Sequence, residues 1–440
     1  MTRQNGILLA SILLLMAATG VTSPLQVAAQ NQKELNKKPP HYSVHNLGAL
    51  GGTSSSANGI NNKGWVSGSA NIPGDTFQHG FLWTEEDGMK DLGTLGGPNS
   101  LVNWPVKDGR GLIVGVSETS MTDSLGENFC FFGNHLTCLG FLWQDGAMTP
   151  LPTLGGNNSF ASGINNRGQA VGIAENTTPD PCLTAPQVLD WKPVIWGPEK
   201  GEITELPLLP GDSTGAAIAI NDKGQIAGAS GICKSPSLAN AVHAVLWDGG
   251  SVIDLGSLGG TTHNAATAIN GQGRVVGFSN LPGDTNSHAF LWTKNRGMKD
   301  LGTLTGDVFS AAFGINNKDQ VVGLSCDVNG NCRGFLWKDG VMTDLNTLIP
   351  PGSGLFLFYA GDINSRGEIV GEAFEQSTGA APAFVATPCE QDHAGQQGCE
   401  EGAESSSITN QNPGVSLSVN ARKTLQRAAL GRFGLEVMKP

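Results

Sequence analysis

The sequence predicts an all-β chain, a seven-bladed β-propeller of four-stranded antiparallel blades. Three observations carry that expectation: a glycine-rich, charge-poor composition, a unit repeated seven times, and four strand-like pieces in each unit. Of 440 residues, 62 are Gly and only 15% are charged, against the usual quarter. Such a chain suits short strands and tight turns better than helix bundles. Hydrophobic residues reach 39%, enough apolar surface for a core. The net charge of −12 gives no general footprint for a phosphate backbone, so nucleic acid is not an expected partner.

Repetition sets the architecture. Gly-Ile-Asn-Asn begins at Gly59, Gly163 and Gly314, with looser copies at Ala219, Ala268 and Asp362. A degenerate seventh copy is expected between Ser100 and Gly115. Short apolar runs end at Trp83, Trp143, Trp196, Trp247, Trp292 and Trp337, and a seventh, at Ala383-Phe384-Val385-Ala386, lacks the Trp. A third landmark, Leu-x-x-Leu-Gly-Gly or a variant, begins at Leu47, Leu92, Leu151, Leu206, Leu255, Leu301 and Leu345.

Within a unit, Ser159 to Ile164 gives the clearest first strand, and Asn165-Asn-Arg-Gly168 turns the chain. The last turn position is Gly in most copies and Asp319 in one, residues that tolerate a left-handed backbone. A type I turn closed by such a residue joins hairpin strands. Arg274 to Ser279 exemplifies the second strand, His288 to Trp292 the third, and Met298 to Leu301 the fourth. The last unit stops after Ala386 without a fourth strand, while Tyr42 to Leu47 is a surplus one. Letting that N-terminal strand complete blade seven closes the ring and removes its open sheet edges.

These units resemble the HAF repeat of bacterial probable extracellular repeat proteins, the His-Ala-Phe standing here as His288-Ala289-Phe290. Close variants are His79-Gly-Phe and His243-Ala-Val, and the likeness covers about residues 42–388. The resemblance implies an extracellular location and no shared enzymatic activity. Copies two, three and six depart from it, with Cys138, Trp191 and Arg333 in place of the His.

Before the repeats, residues 1–29 read as a secretory signal: Arg3, an apolar run over 7–18, then Val27-Ala-Ala29. The run is too short to span a bilayer, so the mature chain is expected to be secreted or periplasmic, without a transmembrane segment. Eight cysteines agree with export. We expect local pairs Cys130–Cys138, Cys326–Cys332 and Cys389–Cys399, leaving Cys182 for Cys233. Their spacing does not suit zinc, and neither a metal nor a cofactor is expected.

His79, His243 and His288, one per blade, are expected to serve packing or turn hydrogen bonds rather than to converge. Asp91, Asp254, Asp300 and Asp344 recur with the unit and are expected to bond at strand ends. The Trp series is expected to fill the wedges between blades. Pro73-Gly-Asp75-Thr and Pro282-Gly-Asp284-Thr read as turns. No nucleophile elbow, phosphate loop or zinc-protease motif is present.

The units differ most between their second and third strands, over 118–138, 174–191 and 231–241. Those loops share one face with the inter-blade connections, and rigidly held loops are where binding residues concentrate. The candidate ligand-binding residues are therefore Thr53, Asn99, Asn157, Asn158, Asp212, Thr261, His263, Asn264 and Asp307; no catalytic residue is assigned. After the ring, 389–417 reads as a linker and 418–434 as a basic amphipathic helix. The expected role is a non-enzymatic binding protein that presents its loop face to an extracellular glycan or protein. Two alternatives stay open: a polysaccharide-cleaving enzyme with funnel carboxylates such as Asp212, Asp307 or Glu118, and a purely structural envelope component.

Overall fold

The computed structural model describes residues 41–102, 110–180, 187–232, 242–389 and 399, and it contains seven four-stranded antiparallel sheets. Six sheets are continuous in sequence, over 55–91, 96–150, 159–205, 214–254, 264–300 and 309–344. The seventh joins Leu355–Ile363, Ile369–Glu375 and Ala383–Pro388 to the N-terminal strand Tyr42–Gly48. Val44 lies opposite Ala386 and His45 opposite Val385. The chain is thus a seven-bladed β-propeller closed by its first strand. The segment 1–29, the helix predicted over 418–434 and the pair Cys182–Cys233 lie outside the described residues, as does the linker over 389–417 apart from its two cysteines.

Small residues let the inner strands come close. Every second strand has a mid-strand glycine, and in six of the seven blades it lies near a register shift in the first strand. A Cβ on Gly277 would stand 2.0 Å from the carbonyl oxygen of Ala265, and one on Gly371 equally near that of Tyr359. Only glycine fits such a contact. The hairpin turns follow the expected chemistry, with φ of 80° at Gly168 and 60° at Asp319.

Two side-chain series join the blades. Each outer Trp reaches the fourth strand of the preceding blade or the residues that follow it. The indole N–H of Trp196 donates to the carbonyl of Pro152 at 2.8 Å, and that of Trp247 to Pro207 at 2.6 Å. Lys90 lies 5.4 Å from the ring centre of Trp143, Lys299 4.8 Å from that of Trp337, and His45 6.2 Å from that of Trp83. The Trp residues fill the wedges, as expected.

The second series is a ladder of buried asparagines on the face opposite the long loops. Amide groups donate from Asn165 to the carbonyl of Asn221, from Asn221 to Asn270, from Asn270 to Asn316, from Asn316 to Asn364, and from Asn364 to Asn61. The last bond, 3.0 Å, crosses the seam between blades seven and one. Each asparagine also accepts backbone N–H groups two and four residues ahead, such as Lys318 and Gln320 on Asn316. One side chain therefore fixes its own turn and its neighbour's, satisfying buried polar groups that would otherwise be costly.

The inserted loops of blades two and three start later than the sequence suggests. Strands Ile113–Thr122 and Ala170–Pro179 run on past Glu118 and Glu175 and pair again at Thr122 with Leu136 and at Pro179 with Leu189. Their Thr-rich ends favour extended backbone, so part of each insertion is a protruding ribbon.

Candidate functional site

Antiparallel alternation puts the second-to-third-strand loops and the inter-blade connections on one face, and hydrogen bonds tie them together. In blade one, Asp75 accepts the backbone N–H of Thr53 at 2.8 Å and its hydroxyl at 2.9 Å. Those bonds, with one from Asn71, hold the Asp75 carboxyl below its ordinary range. Asp284 does the same in blade five for Thr261, Thr262 and Asn280, and is likewise held low, first by the Thr261 hydroxyl.

In the long-loop blades the tie reverses: the connection supplies an amide and the loop a glutamate. Asn99 donates to Glu118 at 2.8 Å, and Asn134 donates to the same carboxylate. Asn158 donates to Asp123, Glu127 and Glu175 at 3.0, 3.2 and 3.0 Å, while its own oxygen accepts the N–H of Cys138. Glu127 and Glu175 are fully buried. Glu127 accepts the N–H groups of Val188 and Leu189, and Glu175 accepts Gln187. Burial first, then the charge of Glu127, pushes the Glu175 carboxyl up to about 8. The two insertions are thereby sewn to each other through carboxylates.

The remaining candidates serve the same joinery. Asn157 donates to Asp123 and Ser124. Asp212 accepts Ser230 and lies 3.9 Å from His243. Asn264 accepts Ser279 and donates to the carbonyl of Val242. Arg333 bridges Asp307 at 2.8 Å and Asp344 at 3.1 Å, and burial raises the Asp307 carboxyl. His263 adopts a left-handed backbone, with φ of 50°. Glu118, Asp212 and Asp307 thus belong to three alternate blades, each engaged locally. The inner strands of blades two to seven share one apolar cluster, including Leu101, Phe160, Ile218, Ala265, Phe313 and Phe358.

The recurring His and Asp residues clasp the third strand to the fourth. His79 meets Asp91 at 2.8 Å and His288 meets Asp300 at 3.0 Å, and each Asp also accepts the N–H two residues on, Gly93 or Gly302. The bond to Asp91 raises the His79 pKa. Arg333 takes the place of His in blade six. Among the described residues, no group of three or more His, Cys, Asp or Glu side chains could hold a metal ion.

What the sequence did not single out is the apolar character of the rim. Among the described residues eight large hydrophobic side chains are exposed: Phe77, Met121, Leu125, Phe131, Val188, Ile232, Val328 and Val341. Six stand between second and third strands and Met121 at the protruding end of the second strand of blade two, all on the loop face; Val341 lies elsewhere. Val328 is 80% exposed, Met121 68% and Phe131 65%. Cys130–Cys138 brackets Phe131, and Cys326–Cys332 brackets Val328. These disulfides, with Cys389–Cys399, fit an extracellular or periplasmic location. A loop-by-loop hydropathy comparison would have found the signal.

No family model and no curated protein matches the chain. Among solved structures it is similar to a triple arginine-to-alanine mutant of AofleA from Arthrobotrys oligospora, at 11% identity and a TM-score of 0.35, covering 69% of this chain and 88% of that one. TolB from Acinetobacter baumannii is similar at 11% identity and a TM-score of 0.34, over 77% of this chain and 64% of its own. Dipeptidyl peptidase 4 from Porphyromonas gingivalis follows at 12% and 0.31, over 77% and 45%. Likenesses this weak assign no activity.

Proposed function

We propose that the chain is an exported, non-enzymatic interaction protein of the HAF-repeat kind whose loop face takes a protein partner. The observation that carries this reading is the gathering of exposed apolar side chains on one rim, on loops held by disulfides and buried hydrogen bonds. Exposed apolar patches on a rigid frame mark interaction surfaces, and a preordered loop loses little entropy on binding. The predicted polar residues, Thr53 and Asn158 among them, form the floor that holds those loops in place. The disulfides and the apolar leader within 1–29 support export.

The test compares the parent with Phe131→Ser/Val328→Ser, both immobilised and exposed to panels of envelope and secreted proteins and to a glycan array. Both side chains are exposed, so thermal stability should hold. Protein capture should weaken by about 30-fold or more, the size of an interface hot spot. Unchanged capture, or capture of glycans alone, overturns the reading.

A further inference from the structure

We propose that the chain's own basic segment 418–434 docks on the loop face, over the apolar insertions of blades two and three, and covers them until a partner displaces it. The inference rests on the reading of that face as an interaction surface. Charge is divided unequally between the two faces of the ring. On the face opposite the loops, cations such as Lys63, Arg167 and Lys223 share the surface with Glu85, Asp145 and Asp222. On the loop face cations are scarce. Among the described residues, its inter-blade connections, its second-to-third-strand loops and the ends of the second and third strands that meet them carry two, Lys192 and Arg333. Each is already engaged: Lys192 lies 2.8 Å from Asp190, and Arg333 bridges Asp307 and Asp344.

Carboxylates remain in excess there. Asp75, Asp91, Glu205, Asp254 and Asp300 are exposed and Asp327 is half-buried; three of them face a histidine. Lys90 and Lys299, on fourth strands, lie over the rings of Trp143 and Trp337. Beneath the rim, Glu118 and Asp123 are buried and held by amides. A surface with that excess carries a negative potential. The exposed apolar side chains Met121, Leu125, Phe131 and Val188 stand within it, on two insertions that Glu127 joins.

Segment 418–434 has the complementary set. It carries Arg422, Lys423, Arg427 and Arg432 and neither Asp nor Glu. At helical spacing, Leu425, Ala428, Ala429 and Phe433 share one side with Arg422 and Arg432, so cations stand among the apolar groups. That mixture suits an acidic, apolar protein surface better than a lipid surface, which selects helices with charge and apolarity on separate faces. Reach is sufficient. Cys389 ends the ring on the opposite face, its N–H on the carbonyl of His41, and Cys399 is bonded to it. Residues 400–417 span up to about 60 Å when extended. A seven-residue strand crossing from face to face, such as Tyr42–Gly48, spans about 23 Å. The acidic residues Glu400, Glu401 and Glu404 fall in that connector and not in the docking segment. Tethering sets a roughly millimolar effective concentration, so a modest intrinsic affinity is enough.

The test is zero-length carbodiimide cross-linking of the full chain at low protein concentration, read by peptide mass spectrometry. Lys423 should join loop-face carboxylates, Asp75 or Glu205 among them, within one molecule. Arg422→Gln/Arg427→Gln/Arg432→Gln should lower that yield at least about fivefold, because three exposed ion pairs are lost together. Met121→Ser/Phe131→Ser, confined to exposed side chains, should lower it as far. Lys423 linked only between molecules, only to the opposite face at Glu85 or Asp145, or to nothing overturns the proposal, as does an unchanged yield in either variant. Attachment of the segment to phosphatidylglycerol vesicles in place of these links overturns it too. The links form without any outside protein, so they can appear where the rim captures no partner and be absent where it does. Failure of this inference is thus distinguishable from failure of the protein-partner reading.

Discussion

Replacing Tyr42 with Ala is expected to destabilise the ring by about 3–5 kcal/mol, the usual cost of removing a fully buried aromatic side chain. Tyr42 is 1% exposed and packs with Leu345, Leu348, Leu357 and Phe384. Its backbone N–H donates to the carbonyl of Leu348 at 2.8 Å, tying the first strand to the connection between blades six and seven. Burial also pushes its phenol up to about 12. A cavity here loosens the closing strand and exposes the edge of Ala383–Pro388, an invitation to intermolecular pairing. Chemical denaturation measures the loss. A change below about 1 kcal/mol, the average for point mutants, would make the strand an ornament of the fold.

The second large effect is a dependence of stability on pH centred on Glu175. Its carboxyl is raised in the folded state to about 8 from an ordinary value of 4.5. Between those values the folded chain holds a proton that the unfolded chain has released. Stability therefore falls as pH rises through this window, and the contribution is gone above about pH 8. Asp123 and Glu127 meet Glu175 around Asn158, so deprotonation adds a charge to an already acidic, buried junction. Glu175→Gln should flatten the slope of unfolding free energy between pH 5 and 8, by about one proton. Glu127→Gln should move the midpoint down, because it removes one of the two pressures on Glu175. An unchanged slope in Glu175→Gln would place the proton elsewhere.

Much of the ring was legible from residues alone. Three landmarks counted seven, the surplus strand at Tyr42 matched the strand missing after Ala386, and the short cysteine spacings gave their partners. These features are local or periodic, and period is what a sequence displays. The asparagine ladder was only half visible. Asn61, Asn165 and Asn316 were seen as turn formers, but their amide bonds reach residues about fifty positions away, and no local pattern encodes that distance. A usable clue stood there: the asparagine persists at 221, 270 and 364 while the residues around it change. The site was less legible. Thr53, Asn99 and Thr261 were read as ligand contacts because they are polar and lie in loops, yet such residues equally serve structural ties between loops, as their bonds to Asp75, Glu118 and Asp284 show. The joint burial of Glu127 and Glu175 depends on two insertions folding together, which spacing cannot reveal.

The most direct measurement of the central claim is a cross-link over the seam. Ser43 lies opposite Thr387 in the closing sheet, and directly paired strand residues are about 4.5–5.5 Å apart between Cα atoms, within disulfide range. In Ser43→Cys/Thr387→Cys, mild oxidation followed by peptide mass spectrometry should show the two strands joined within one molecule, with a raised midpoint of chemical unfolding. Free thiols after oxidation, or linkage only between molecules, would mean that chain start and finish do not share a blade.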